Sequence, residues 1–486
     1  MLLKNFNTKN IVSLENFLRI KKNEPIVLVQ GLGFVGSVMS LVVSNAINGN
    51  YAVIGVDQDT ESGRRTVDSL NVGVFPITAD DPKIHQYFEE TRKRGNFYAT
   101  VDTAAYAAAD IIIVDINLDV HKTSNEKNAL IEYEVTLASF IVAIKTIGKY
   151  CKPDVLVLVE TTVPPGTCRN VVAPTLKAAL EERGLPTDQI RIGHSYERVM
   201  PGPNYIDSIQ SFYRVYSGID DKSADAVEAF LKTIIRTDEY PLTRLGNTNA
   251  TEMAKVLENS YRAMNIAFIV EWSRMAEEAG VDLYEVVHAI RQRPTHSNLM
   301  FPGIGVGGYC LTKDPLLASW ARQHLIGGKD KLAQSEIAVS INDQMPRYAF
   351  EFLERRYSKP LDGVKVLLLG ASYRGDVGDT RFSPVEPFYR CLKSAQALIN
   401  VHDPYVLNWP ETGIAPFTDL SDALGTEPDI VVISTGHLMY QNEKTIETLL
   451  ACQSLWIYDT IGLLSTEQIS RLRQKHTVIV LGRGDL

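Results

Sequence analysis

Pro25 to Gly36 reads PIVLVQGLGFVG, a short apolar run that stops in three glycines and is followed by a helical pattern, SVMSLVVSNAI. The run has the length of a buried strand. The G-x-G-x-x-G spacing allows a tight turn at Gly31, lets backbone amides at Gly33 approach a pyrophosphate, and lets a helix pack closely at Gly36. Phe34 and Val35 lie in the turn that leads into that helix, whose N-terminus favours a phosphate. A second strand, YAVIGVDQD, carries Asp57, 26 residues after Gly31. A carboxylate there accepts hydrogen bonds from a ribose diol and repels a 2′-phosphate, which favours NAD over NADP. Arg64 and Arg65 nearby pull the other way. A glycine-tolerant turn without a ligand is the plain alternative, and strand, helix and acid together argue against it.

The rest of the chain repeats this architecture. ADIIIVDINL and PDVLVLVETTV continue the apolar strands, and helical patterns such as ALIEYEVTLASFIVAIKTIGKYC separate them. Strands alternating with helices predict a parallel α/β sheet. The signal changes near Thr248. Thr251 to about Gly280 lacks Pro and interior Gly, which predicts one long helix, with more helix through about His288. Strand patterns vanish between about 245 and 345, then restart at Val364 in VKVLLLG, ALINVHDP, DIVVISTG, LWIYDT and TVIVLG. The expected fold class is therefore α/β, with two Rossmann-like doubly wound domains joined by an all-helical centre. The boundaries expected are a leader over 1–24, a nucleotide-binding domain over 25–220, a helical domain over 221–345 and a second α/β domain over 346–486. At about 100–200 residues per domain, 486 residues hold roughly three such units.

Composition narrows the function. Asp+Glu exceed Lys+Arg, 58 to 49, for a formal charge of -9. A mildly acidic chain without a basic block is a poor nucleic-acid binder. The five cysteines are widely spaced and no C-x-x-C occurs, so neither a zinc site nor a disulfide framework is expected. Free thiols suit a reducing cytoplasm. The N-terminal stretch mixes charges through its apolar residues and does not read as a signal peptide. The longest uncharged run, Pro25 to Val56, reads as strand, turn, helix and strand, so no membrane span is expected.

Four further segments carry candidate chemistry. Pro302 to Asp314 (PGIGVGGYCLTKD) sets glycines, among them Gly307, before Cys310, with Lys313 three residues on. Glycines let backbone crowd a ligand, and a thiolate is a strong nucleophile whose pKa neighbouring cations lower. Taken alone, a buried inert thiol explains the cysteine equally well. On the long helix, Lys255 and Asn259 are four apart and share a face. Asn is a poor helix former, a mild hint of retention for hydrogen bonding, although a solvated face is the commoner explanation. The loop ETTVPPGT, with Thr162, ends an apolar strand, where ligands bind in open α/β sheets. SYERVMPG, with Glu197 and Arg198, follows another strand, IRIGH.

Together these segments resemble the UDP-glucose/GDP-mannose dehydrogenase family, the nucleotide-sugar 6-dehydrogenases. The resemblance runs in order from residue 25 onward: GLGFVG, VD, TTVPPGT, ERVMPG, EMAKVLENSYRAMNIAF, GVGGYCLTKD, GASYRGDVGDTRFSP and VHDPY. It implies oxidation of C6 of a UDP-sugar to a carboxylate with two NAD, a helical dimer-forming centre and a C-terminal domain that helps bind the sugar nucleotide. By resemblance Cys310 attacks the aldehyde and forms a thioester, Lys255 is the cation beside the oxyanion and Asn259 a neutral donor to it. Asp314 and Thr162 hold the water, and Glu197 is the acid/base. Thr162 and Lys313 join the cofactor contacts. Glu197, Arg198, Lys255, Asn259, Gly307 and Arg381 contact substrate. No metal is implied.

The sequence departs from the family pattern at several places. Asp115-Ile116-Asn117-Leu118 replaces the usual Pro-Thr-Pro turn, and Tyr373-Arg374 replaces an aromatic-lysine pair. His296 stands where relatives often place an arginine that reaches across the dimer; Arg291 or Arg293 are the substitutes in view. The UDP-glucose and GDP-mannose members tend to carry a second Glu four residues after the one matching Glu197. Here that position is Pro201, so the pattern is closer to the UDP-N-acetylhexosamine branch, with UDP-glucose or GDP-mannose as the alternatives. A two-electron hydroxyacid dehydrogenase of the wider fold group shares the Lys-x-x-x-Asn helix but needs no cysteine, and a non-catalytic sugar-nucleotide sensor would keep the fold alone.

Overall fold

A computed structural model describes residues 13–76, 81–199 and 202–486. Residues 1–12 of the expected leader lie outside the described residues, as do Met200 and Pro201 of the ERVMPG segment. The chain divides into two compact units. One holds the chain up to Asp119, Val135–Val256 and Trp320–Asp330; the other holds Val120–Glu134, Leu257–Ser319 and Lys331–Leu486.

The strands in chain order are β1 (Ile26–Gln30), β2 (Ala52–Val56), β3 (Phe97–Thr100), β4 (Ile111–Val114), β5 (Val120–Ser124), β6 (Leu130–Val135), β7 (Leu156–Val159), β8 (Arg191–Ser195), β9 (Val215–Gly218) and β10 (Thr243–Arg244). The first unit is built on an eight-stranded sheet of order β10-β9-β8-β7-β4-β1-β2-β3. Its pairs are parallel except β8 with β9. Strands β1, β2 and β7 are buried at every residue. Helices on both faces demand this, and it is why these strands read as continuous apolar runs rather than as alternation. The chain order reverses at β1, so the crevice between β1 and β4 is the switch point where such sheets take ligands.

The helix Phe34–Ser44 after β1 is buried from Gly36 onward. It carries three serines whose hydroxyls would be costly there if unpaired. Ser37 donates to the Leu32 carbonyl, Ser40 to Gly36 and Ser44 to Ser40, each at 2.7 Å, so the helix backbone absorbs them.

The second unit contains β11 (Lys365–Leu369), β12 (Leu398–His402), β13 (Ile430–Ile433), β14 (Trp456–Asp459) and β15 (Thr477–Val480) in a parallel sheet of order β12-β11-β13-β14-β15. Val366, Leu368, Ile430 and Val432 pack with Phe388, Trp409 and Tyr458 on one face. Leu367, Leu369, Val431 and Ile433 pack with Tyr440, Leu449 and Leu472 on the other. Two apolar clusters on opposite faces of one sheet make it doubly wound, as the sequence pattern predicts. All five expected C-terminal strands form.

The long helix spans Thr248–Ala279 and is followed by a helix over Leu283–Arg291. A further helix, Ala333–Tyr357, continues through Pro346. Among the described residues no helix is long and apolar enough to cross a membrane.

One expected helix is partly wrong. The pattern ALIEYEVTLASFIVAIKTIGKYC begins as strand β6, and the helix starts only at Ala138. β6 pairs with β5, and the pair belongs to the second unit. Its side chains find partners on the Ala333–Tyr357 helix. Tyr133 Oη donates to Glu336 at 2.6 Å, Leu130 N to Ser340 Oγ at 3.0 Å, and Lys122 pairs with Asp343 at 2.6 Å. These tertiary contacts override a local helical pattern. Tyr133→Phe removes one of the anchors and should cost about 1 kcal/mol. Hydrogen exchange should then quicken over residues 120–135 with the rest of the unit unchanged; uniform exchange across the unit would show that the pair does not depend on this contact.

Candidate active site

The glycine turn lies at the carboxyl end of β1. Gly31 has φ +93°, and a Cβ there would come within 2.4 Å of the Asp115 carbonyl oxygen. A Cβ on Gly36 would lie 1.8 Å from the Gly31 carbonyl oxygen, whereas one on Gly33 would meet nothing within 4 Å. Gly31 and Gly36 therefore serve the turn and the helix packing, and Gly33 faces open space. The helix begins at Phe34 with no side-chain cap and no acidic residue in its first turn. A helix N-terminus without an acidic first turn favours an anion. Asp57 sits at the end of β2, where its carboxylate accepts from Gln58 N at 2.7 Å and Leu32 N at 3.3 Å. Arg64 and Arg65 pair with Asp59 and Glu61 of their own segment, on the surface. The open face at Gly33, the uncapped helix and the aspartate fit an adenine dinucleotide with a free ribose diol.

Further along the same sheet edge, the TTVPPGT loop follows β7. Thr161 holds the loop locally, donating to the Val114 and Ile116 carbonyls and accepting from Ile116 N. Thr162 beside it is half-buried. Glu252 on the long helix accepts from Gly166 N at 2.6 Å and Cys168 N at 2.7 Å, and so fixes the loop's far end. One turn later Lys255 donates to the Glu197 carbonyl at 2.9 Å, lies 3.8 Å from the Glu197 carboxylate and sits over the Tyr196 ring at 5.4 Å. Lys255 is buried, which makes its ammonium a strong local positive charge. Arg198 stacks over Tyr196 and Phe212 and donates to the Tyr213 carbonyl.

In the second unit, Asn259 Nδ2 donates to Asp314 Oδ2 at 2.6 Å and Lys313 Nζ pairs with Asp314 Oδ1 at 3.0 Å. All three side chains are buried. Lys313 also lies over the Tyr309 ring at 4.6 Å. Asp314 N and Lys313 N both donate to the Cys310 carbonyl, so the turn that opens the helix Asp314–His324 carries the thiol at its tip. Cys310 is the exposed cysteine; Cys151 and Cys168 are buried and Cys391 and Cys452 half-buried. Burial pushes all four of those thiols above the usual range. The glycines before Cys310 answer to a neighbour: a Cβ on Gly307 would meet Tyr373 Cβ at 2.4 Å, and one on Gly308 would meet the Tyr373 ring at 2.8 Å. Tyr373 thus lies across the backbone that leads to the thiol.

Arg381 makes a bidentate pair with Asp379, at 2.7 and 2.9 Å, and lines a cleft of about 1260 Å³ together with Lys122, Thr312, Arg347, Phe382 and Arg390. Arg291 is occupied within its own segment, donating to the Ser297 carbonyl and stacking on Phe301, while Arg293 and His296 are exposed. Among the described residues no cluster of three or more metal-ligating side chains forms.

Sequence reasoning missed Glu160, Arg214 and Glu252. Glu160 and Arg214 are buried and form an ion pair at 3.5 Å. Burial pushes the Glu252 carboxyl up to about 7, against the Cys168 and Gly166 amides that favour its charge. A folded value above the unfolded 4.5 means that the native state keeps this proton after the unfolded chain has lost it. Its contribution to stability is full below the unfolded value and is lost as pH rises to about 7. Glu252→Gln should therefore flatten the fall of the melting temperature between pH 4.5 and 7, read by scanning calorimetry across that window. An unchanged slope would place the proton elsewhere.

Comparison with known proteins agrees with this geometry. Three family models match in order: the UDP-glucose/GDP-mannose dehydrogenase family NAD binding domain over residues 26–235, its central domain over 249–343 and its UDP binding domain over 367–466. The UDP-N-acetyl-D-mannosamine dehydrogenase of Pyrococcus horikoshii is 27% identical over 415 residues, 85% of this chain and 89% of that protein. The solved structure of the UDP-D-ManNAc dehydrogenase from the same organism superposes with a TM-score of 0.77 at 25% identity, covering 95% of this chain and all of that one. The NDP-N-acetyl-D-galactosaminuronic acid dehydrogenase of Methanosarcina mazei Go1 superposes with a TM-score of 0.75 at 25% identity, over 98% of this chain and 99% of that one. With a glycine turn in the first unit, a thiol-bearing turn in the second and all three models in sequence, the chain belongs to the UDP-glucose/GDP-mannose dehydrogenase family.

Proposed function

We propose that this protein oxidises C6 of a UDP-N-acetylhexosamine to the uronic acid, using two NAD and a thioester on Cys310. The observation that carries the reading is the thiol itself. Cys310 is the exposed cysteine, on a turn tied by its own carbonyl to Lys313 N and Asp314 N. A two-electron dehydrogenase has no use for it. The sugar class rests on the relatives, named for UDP-N-acetyl-D-mannosamine and for an N-acetyl-D-galactosaminuronic acid.

NAD supplies the hydride acceptor. In the first oxidation the C6 alcohol loses a hydride and its hydroxyl proton; Glu197 takes the proton and Lys255 stabilises the charge that builds on oxygen. The Cys310 thiolate then adds to the aldehyde carbonyl, with Asn259 as a neutral donor to the oxyanion. Loss of a second hydride from the thiohemiacetal leaves a thioester. Water, held by Asp314 and Thr162, adds to the thioester carbonyl and releases the carboxylate and the thiol. Sulfur suits both halves, as a good nucleophile and a good leaving group. Thr162 and Lys313 complete the cofactor side, and Arg198, Gly307 and Arg381 the substrate side.

Wild type should yield two NADH per sugar. Lys255→Ala should lower kcat by about 10²–10³, the usual loss for one oxyanion donor. Cys310→Ser should abolish net turnover and accumulate an ester on the peptide Gly308 to Lys313, read by mass spectrometry. Retention of two NADH per sugar by Cys310→Ser would overturn the thioester.

We also propose that the long helix forms a homodimer. Leu257, Tyr261, Phe268, Trp272 and Met275 lie at helical spacing on one face and are 46–63% exposed. Five large apolar side chains in one stripe are unusual for a free surface. Light scattering should give a dimer at micromolar concentration, and Phe268→Glu with Trp272→Asp a monomer. A monomeric, fully active wild type would refute the dimer.

A further inference from the structure

At the carboxyl edge of the eight-stranded sheet, three neighbouring strands end in register. Val114 pairs with Val159, and Val159 with His194. The next residues are Asp115, Glu160 and Ser195, so their side chains leave the sheet on the same side, one strand spacing of about 4.8 Å apart. Across the antiparallel pair of β8 with β9, Ser195 faces Tyr216, and Arg214 lies two residues before it. Glu160 is 1% exposed, and its carboxylate faces Arg214 at 3.5 Å. Asp115 is half-buried as a residue, but its Oδ2 is shut off from water. Asp115 Oδ2, both Glu160 oxygens, Ser195 Oγ and the Arg214 Nη atoms have no hydrogen-bond partner among the described residues. Buried polar groups are rarely left so, and a shared proton and a bound water would satisfy them.

The charge count points the same way. Asp115, Glu160 and Glu197 act on one another electrostatically, and the cations that face them are Arg214 and Lys255. His194, also buried nearby, is held neutral by burial and by the Lys255 charge, which push it down to about 3. Three carboxyl groups against two cations leave one carboxyl to be neutralised, since two adjacent buried carboxylates do not both ionise. Burial first, then the neighbouring carboxylates, holds Asp115 well above the usual range. Burial pushes Glu160 up to about 7 against Arg214. Glu160 faces the Arg214 guanidinium at 3.5 Å, which favours its charged form, so the proton is assigned to Asp115 and Glu160 is the acceptor.

We propose that Asp115 and Glu160 share one proton and serve as a proton relay behind Glu197, retaining on the protein the proton released with the first hydride. This rests on the alcohol-oxidising reading above. In the first oxidation the C6–H electron pair leaves as hydride to NAD and the hydroxyl proton goes to the Glu197 carboxylate. Glu197 hands that proton to Glu160, through the space shared with Ser195. Both members of the pair are then neutral, Glu197 is again a base for the second oxidation, and Glu160 later releases the proton to solvent. Asp115 and Glu160 act through Glu197 and are positioning rather than catalytic residues.

The first test needs no substrate. In infrared difference spectra of the full-length protein, wild type minus Asp115→Asn at pH 8, where Glu252 has lost its proton, the carbonyl stretch of one protonated carboxylic acid should appear, and it should shift in Glu160→Gln. Its absence from that difference spectrum overturns the shared proton. The second test follows NADH absorbance and a pH indicator together in single turnovers with NAD and UDP-N-acetylmannosamine or UDP-N-acetylgalactosamine. Wild type should form NADH before the proton appears. Glu160→Gln should release both together, lose the acid limb of kcat near pH 7 and fall on the order of 10-fold to 10²-fold in kcat, with KM for NAD unchanged. If Glu160→Gln leaves Arg214 too poorly paired to fold, Asp115→Asn, an isostere of the protonated acid, carries the same readout as an altered proton lag. A wild-type lag and acid limb in the folded variants overturn the relay. If no nucleotide sugar yields NADH, the functional reading and the relay fall together, and the infrared band alone still decides the shared proton.

Discussion

A parallel sheet covered on both faces has one place for polar side chains: the carboxyl ends of its strands. That constraint organises both units of this protein. In the first, Asp57 follows β2, Asp115 follows β4, Glu160 follows β7 and Glu197 lies just beyond β8. In the second, Ser372 lies just beyond β11, Asp403 follows β12, Ser434 follows β13 and Asp459 ends β14. Asp57, Asp115, Glu160, Ser434 and Asp459 each end a run of apolar residues. The hydrophobic cores fix the sheets, and the sheets fix which polar groups face one another.

The same constraint decides which parts of the molecule are legible in a sequence. Strand runs such as IVLVQ and VKVLLLG, the glycine turn after β1 and the long helix after Thr248 are local patterns, and the structure contains each of them. The β5–β6 pair was not legible, because its strand pattern in LIEYEV sits on a sequence that also suits a helix. Contacts with Glu336 and Ser340, some 200 positions away, decide between the two. Asp115 stood out as a departure from the family pattern, but its partner Glu160 did not. What makes them a pair is the register of β4 with β7, which no single strand reveals. Glu252 was hidden for the same reason, since its value lies in accepting two amides from a loop more than 80 positions earlier.

Selection among the cysteines follows from burial rather than from sequence context. A nucleophilic thiol needs access and a favourable thiolate, and desolvation acts against the thiolate at Cys151, Cys168, Cys391 and Cys452. Lys313, three residues from Cys310, invites the idea that it activates the sulfur. Its ammonium is instead bound to Asp314 and the Tyr309 ring. Removing it would leave Asp314, which is fully buried, with Asn259 alone. Lys313 therefore holds the Asp314 carboxylate in place, and acts on the thiol turn through it.

A second network in the C-terminal sheet shows how the thiol turn is held from behind. Asp376 N donates to His437 Nδ1 at 2.8 Å, which makes Nδ1 the acceptor and leaves the proton on Nε2. That proton points at Asp403 Oδ2, 3.1 Å away, which also receives Ala371 N, Ser372 N and Ser372 Oγ. Burial opposes a charge on Asp403, yet His437 and the surrounding amides outweigh it and hold the carboxyl below its usual range. A carboxylate so fixed ties the start of the Ala371–Asp376 loop to β12, and His437 ties its end to β13. Tyr373 lies between these two anchors, with its amide donating to the Asp379 carbonyl at 3.0 Å. Its ring is pressed against Gly307 and Gly308, so the backbone leading to Cys310 rests on a surface that Asp403 and His437 hold rigid. Gly307 answers to the closeness of that ring, and Gly308, at φ +80°, both to the ring and to the turn's own conformation.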